Sequence, residues 1–259
     1  GHRGEALETA REAVIAYRGL ARKRPEDFGR EHSVVVRSAP HAGARKYLSL
    51  PFFCDLVSYG GNVVASVAPE AEAAVRAYVE RYAPEHCFET PNMNVLADAL
   101  RPFGMRICFM AEYFLPDVSR MRQWDCGYAL KVLGPADFAG LYRPEWSNAL
   151  CEKRRKLDVL AVGAYDGARL VGLAGCSADC ESMWQIGVDV LPGYRRRGVA
   201  AALTSRLAAE TLARGKVPFY CAAWSNIKSV RNAVKCGFVP AWAELTAKPE
   251  AFVRELNGQ

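Results

Sequence analysis

The sequence predicts an α/β (α+β) chain in which short strands alternate with helices, and three observations carry that expectation. Residues 183–190 read as a strand that stops at the Val190-x-Pro192 step, and residues 199–212 as a helix with apolar positions Val199, Leu203, Leu207, Ala208 and Leu212. Asp166-Gly167 stands between two half-buried runs, which is a hairpin signal. The longest apolar runs are strand-sized, well short of the roughly 20 residues a membrane span needs.

The elements follow in order. From residue 128 the pattern gives a strand (128–133), a helix (135–142), a second helix (146–155), a strand (159–165), the hairpin, and a strand (170–176). Then come the strand 183–190, the helix 199–212, a strand (217–223), a helix opened by Asn226 (226–235) and a last strand (238–246). The first half gives an amphipathic helix near 5–22, a linker to residue 41, then a strand (62–68), a helix (69–82), a short strand (86–89), a helix (92–100) and a strand (105–115). This second series echoes the order that begins at residue 183, with Pro69 where Pro192 stands. Its turn, however, reads Pro69-Glu70-Ala71-Glu72-Ala73, with acids where the later turn has arginines. Two explanations stay open, a degenerate repeat of the second half and a generic α/β segment. The expected division is an N-terminal subdomain (1–125) and a C-terminal domain (126–259).

Composition narrows the function classes. The chain has 259 residues, 51% hydrophobic and 24% charged, as a globular protein does. Nine cysteines, an odd number without a CxxC pair, fit reduced thiols in a cytoplasmic protein. Cys176 and Cys180 form the one close pair, and all four histidines fall at or before His86, so no metal is expected. The net charge of +6 is concentrated in short runs, Lys153-Arg154-Arg155-Lys156 and Arg195-Arg196-Arg197. A nucleic-acid partner would call for a longer basic stripe interleaved with aromatics, and neither that partner nor a membrane is expected.

The stretch Val188-Asp189-Val190-Leu191-Pro192-Gly193-Tyr194-Arg195-Arg196-Arg197-Gly198-Val199-Ala200 is built as a phosphate site. Main-chain N–H groups at a helix start are unpaired and carry the positive end of the helix dipole. Small residues at Gly198 and Ala200 let a diphosphate reach them. The spacing Arg195-x-x-Gly198-x-Ala200 resembles the signature with which GNAT superfamily N-acetyltransferases hold the diphosphate and pantetheine of acetyl-CoA. The element order from residue 128 is also the one this family's fold implies. The resemblance covers about half the chain, and it implies a mixed, mainly antiparallel sheet flanked by helices, with acetyl-CoA as co-substrate.

What the resemblance implies can be placed residue by residue. Val188, Asp189, Val190, the turn Arg195, Arg196, Arg197, Gly198, Val199 and Ala200, and Asn226 would contact the cofactor, with the Val190 N–H as donor to the developing oxyanion. Asn226 is also a good helix N-cap. Family members commonly carry a tyrosine seven residues after that Asn as acid for the thiolate; this chain has Ala233. Ser229, Tyr220 and Tyr194 are the hydroxyls that could replace it, and water is another proton source. Candidate bases are Asp189, Glu145 and, from the first half, Glu112. A His base is excluded from the recognised half, since none follows His86. Trp146, Trp184, Trp224 and Trp242 suit an acceptor cleft and core packing equally. The leading expectation is an N-acetyltransferase (an acyltransferase) acting on a primary amine of a small molecule. Its alternatives are a protein N-acetyltransferase and an acyl-CoA-binding regulatory module without efficient turnover.

Overall fold

The computed structural model describes residues 25–40, 43–46 and 48–259, and the helix expected over 5–22 lies outside them. In chain order the strands are β1 (Val34–Arg37), β2 (Cys54–Ser58), β3 (Val63–Val67), β4 (Met105–Pro116), β5 (Ala129–Leu133), β6 (Asp158–Asp166), β7 (Arg169–Ser177), β8 (Met183–Val190), β9 (Val217–Ala222) and β10 (Phe238–Pro249). The α-helices among the described residues are α1 (Glu72–Arg81), α2 (Thr90–Leu100), α3 (Val199–Leu212), α4 (Ile227–Lys235) and α5 (Glu250–Leu256). They form two compact units: Phe114–Pro240, and residues 25–113 together with Ala241–Gln259. The chain therefore divides after Tyr113 and again after Pro240, whereas the sequence suggested one division after residue 125.

In the unit Phe114–Pro240 the strands run in the order β9–β8–β7–β6–β5. The pairs from β5 to β8 are antiparallel and β8–β9 is parallel, so the sheet is mixed and mainly antiparallel. β6 and β7 meet in the expected hairpin, with Asp166 opposite Arg169 and Gly167 at φ +59°. α3 covers one face. Its Leu203 and Leu207 are fully buried beside Val162, Ala174 and Cys176 of the sheet, and each contributes about 1.5–3 kcal/mol by leaving water.

The two helices expected over 135–142 and 146–155 are absent. Three 3-10 turns, Pro135–Asp137, Pro144–Trp146 and Glu152–Leu157, stand in their place. The residue before Pro144, Arg143, is extended (φ −135°, ψ 156°), as proline demands of its predecessor. Side-chain carboxylates hold main-chain N–H groups of this stretch: Asp189 those of Asn148 and Ala149, and Asp158 that of Cys151. Phe138, Trp146, Ala149 and Leu150 still bury their apolar surface, against Ala161 and Leu173.

In the other unit the order is β1–β3–β2–β10, with β4 next. β3 is antiparallel to β2 and parallel to β1. This matches the way β8 sits between β7 and β9, but the parallel strand here comes from 34–37, upstream of β3. The strand expected over 86–89 is instead a 3-10 turn, His86–Phe88. Its carbonyls are occupied: Tyr78 Oη donates to Cys87 O at 2.8 Å and Asn92 Nδ2 to His86 O at 2.8 Å. The acidic turn at Pro69–Ala71 leads into α1, where Glu72 pairs with Arg76 at 3.0 Å.

Candidate functional site

The site begins where two parallel strands part. β8 pairs with β9 only from Met183 to Ile186, the last partners being Ile186 and Tyr220, yet it stays paired with β7 as far as Val190 opposite Gly172. Among the described residues, 187–190 therefore have no strand partner along one edge. The N–H of Leu191 donates to Val171 O at 3.0 Å, toward β7, and alternation along a strand turns the N–H of Val190 the other way, into the gap. The carbonyl of Val190 accepts from Arg195 Nε at 3.0 Å.

The chain then passes through the 3-10 turn Pro192–Tyr194 to α3. Arg196 takes a left-handed conformation (φ 61°) and so does Gly198 (φ 80°). Arg196 pays for this with about 1–2 kcal/mol of backbone strain, and such outliers gather at functional sites. At Gly198 the close approach of Asp125 O, 3.3 Å from where a Cβ would stand, adds a second reason for glycine. Among the described residues no side chain caps α3. Its first helical bond runs from the N–H of Ala202 to Gly198 O, which leaves the N–H groups of residues 199–201 for another acceptor.

Gap and turn open into one cleft of about 500 Å³. Of the residues singled out in the sequence, Val188, Asp189, Val190, Arg195, Arg196, Gly198, Val199, Ala200, Tyr220, Asn226 and Ser229 line it, as does Tyr194. Arg197 and Glu145 do not. Arg197 turns away to Tyr128, whose hydroxyl accepts from its Nη1 at 3.2 Å, so the side chain braces β5 and only its backbone belongs to the turn. Glu145 is exposed in the turn Pro144–Trp146.

Asp189 lines the cleft but is taken. Its Oδ2 accepts from the N–H groups of Asn148 and Ala149 at 2.9 and 3.0 Å, and its Oδ1 from Asn148 Nδ2 at 2.6 Å. A Cβ on Gly187 would lie 1.8 Å from Asn148 O, and one on Gly175 would lie 2.0 Å from Ala149 O. The carboxylate and the two glycines dock the 148–149 backbone onto β7 and β8. That is a structural clamp, made by a residue that the sequence offered as one of three candidate bases.

Two hydroxyls meet across the cleft wall, Tyr220 Oη and Ser229 Oγ, at 2.9 Å. Burial pushes the Tyr220 phenol above its ordinary value, opposed by its hydrogen bond to Ser229, so it is protonated at neutral pH. Tyr194 is occupied, donating to Asp166 Oδ2 at 2.9 Å. Asn226 caps α4 through a 3.3 Å bond from the N–H of Ser229. Ala233 is fully buried among core residues and has no access to the cleft. Sequence reasoning missed Asn148, Lys228, Arg231, Asn232 and Lys235, all of which line the cleft. The i, i+3, i+7 spacing of the three cations on α4 was the available signal.

Residues 115–242 match the family model described as GNAT acetyltransferase, which identifies this segment as a GNAT domain. Similar solved structures include a GNAT-family protein from Novosphingobium aromaticivorans (24% identity, TM-score 0.42), matched over 56% of this chain and 66% of that one, just under two thirds of its length. A GCN5-related N-acetyltransferase-like protein from Streptococcus suis matches with 20% identity over 61% of this chain and 68% of its own, at TM-score 0.46. A GCN5-related N-acetyltransferase from Sphaerobacter thermophilus matches with 14% identity over 78% and 82%, at TM-score 0.48. No curated protein matches the chain. Among the described residues, no helix is long and apolar enough to cross a membrane.

Proposed function

We propose that the protein is an acetyl-CoA-dependent N-acetyltransferase that transfers the acetyl group directly to a primary amine of a small molecule. The observation that carries this reading is the union, in one cleft, of an unpaired strand edge at residues 187–190 with an uncapped helix N-terminus flanked by Arg195 and Arg196. A thioester joined to a diphosphate needs those two things side by side. The acceptor nitrogen attacks the thioester carbonyl, forming the C–N bond while the carbonyl electron pair moves to oxygen near the Val190 N–H. Collapse breaks the C–S bond and the electron pair leaves with sulfur. The Tyr220–Ser229 pair supplies the proton that the thiolate takes, and the amine's proton leaves to water, since Asp189 is engaged and Glu145 lies outside the cleft. The nine cysteines stand as free thiols, and the proposal includes a reducing, cytoplasmic setting with no nucleic-acid or membrane partner.

A second reading is an acyl-CoA-binding module without efficient turnover, favoured by the burial of Ala233 at the position where the resemblance implies a tyrosine. Calorimetry with acetyl-CoA, followed by a panel of primary amines and detection of free thiol, separates the two. Thiol release supports the transferase, and binding without release supports the module. Tyr220→Phe should slow release by about 10²-fold, the ordinary contribution of general acid catalysis, with acetyl-CoA affinity retained. Ala200→Glu keeps helical geometry but sets a carboxylate at the turn, and should abolish binding. Unchanged affinity there would refute the site.

A further inference from the structure

Five cations line the cleft: Arg195 and Arg196 on the turn, and Lys228, Arg231 and Lys235 on α4. Among the described residues none of the five has a carboxylate within ion-pair distance. Other guanidinium groups of the same unit do find one: Arg120 with Asp117 at 3.0 Å, Arg206 and Arg214 with Glu210 at 2.9 and 2.7 Å. Among the described residues, the only carboxylate on the cleft wall, Asp189, is held by the 148–149 segment. A cleft lined by five cations and a single carboxylate, itself tied to the 148–149 segment, is built for a polyanion.

The turn accounts for a diphosphate by itself, through the N–H groups that open α3 and the two arginines beside them. The cations of α4 exceed that need. Lys235 already has a partner, its Nζ lying 4.2 Å from the centre of the Trp124 ring, while Trp124 Nε1 donates to Lys235 O at 3.0 Å. Lys228 and Arg231, three residues apart and so on one helix face, have neither a ring nor a hydrogen-bond acceptor among the described residues. An Arg fork next to a Lys point charge suits a phosphate monoester, a compact dianion.

Resting on the acetyl-CoA reading, we infer that Lys228 and Arg231 form a second anion subsite, for a phosphate monoester carried by the same ligand as the diphosphate, and that they make the protein selective for the 3′-phosphorylated cofactor. Acetyl-CoA carries such a group, the 3′-phosphate of its ribose, and 3′-dephospho-CoA lacks it. The two ligands share every other contact, so their affinity ratio reads this subsite alone.

Calorimetry on the full chain with CoA and with 3′-dephospho-CoA tests the inference. The unaltered protein should bind CoA at least ~30-fold more tightly, given the usual strength of hydrogen bonds to charged groups. In Lys228→Ala/Arg231→Ala the ratio should fall to within about threefold, because CoA weakens while 3′-dephospho-CoA keeps its affinity; Arg231→Lys should restore part of it. Circular dichroism melting verifies that the variants are folded. Equal binding of both ligands by the unaltered protein overturns the subsite and leaves the acetyl-CoA reading intact, as does a double variant that weakens both ligands equally. Failure of both ligands to bind the unaltered protein overturns the acetyl-CoA reading itself.

Discussion

Asp189 shows how a residue's chemistry is decided by partners that lie far away in sequence. A carboxylate on the central strand of a transferase invites the role of base, but three donors from residues about 40 positions earlier occupy both oxygens. Its removal should therefore behave as a packing lesion. Asp189→Ala leaves the N–H groups of Asn148 and Ala149 without an acceptor, and should cost about 2 kcal/mol of stability, measured as a shift of the denaturation midpoint. Acetyl-CoA affinity should stay within a few-fold of the original, because the phosphate turn is untouched. An unchanged midpoint with turnover abolished would instead restore Asp189 as the base. The turn between β8 and α3, by contrast, was legible as local structure, because Pro192 and Gly198 mark the end of the strand and the start of the helix within their own few residues. Arg197 was not, because the partner that turns it away, Tyr128, is 69 residues distant.

At the scale of elements, the long periodic ones were readable and the short ones were not. α3 declares itself through its alanines and its Leu203–Leu207 stripe, and β8 through its end at proline. The region 135–157 has helix-like apolar spacing, yet Pro135, Pro144 and the carboxylates of Asp158 and Asp189 divert its backbone bonds. The place of the α4 cations on the cleft wall was not legible, since a charged helix face usually means solvent. α3 also carries a pH-dependent contribution. Arg214 and Arg206 hold the Glu210 carboxyl below its ordinary value of 4.5, so between the two values the unfolded chain binds the extra proton. The stabilisation is present above the unfolded value and is lost as pH falls through the lowered folded one. The partners are partly exposed, which keeps the effect near ~0.5 kcal/mol. Thermal melts of Glu210→Gln should lie slightly below those of the parent at pH 7, with the gap closing as pH drops below 4.5. A gap independent of pH would mean that the glutamate acts through packing.

For the whole molecule, sequence order and spatial grouping disagree, and the disagreement has a physical cause. The C-terminal strand β10 begins in one compact unit and continues in the other, where Ala243–Thr246 pair with residues 55–58 of β2 and Leu245 and Ala247 complete the core. Nothing in the local pattern of 238–246 marks that change, because a strand reads the same whichever partner it finds. Phe114, at the head of the other unit, is likewise fully buried in that unit's core, and the 120–127 segment reaches α3 through Trp124 N–H to Ser205 Oγ at 3.1 Å. A fragment of residues 126–259, cut at the boundary that the element order suggests, would lose Phe114, Met121 and Trp124 from one core. It would also strip β10 of β2. Each lost large side chain alone costs roughly 2–5 kcal/mol, and a domain's net stability is only about 5–15 kcal/mol. The fragment should show no cooperative thermal transition and no acetyl-CoA binding by calorimetry. A sharp transition near that of the full chain would instead mean that residues 126–259 fold without the strands and aromatics that precede them.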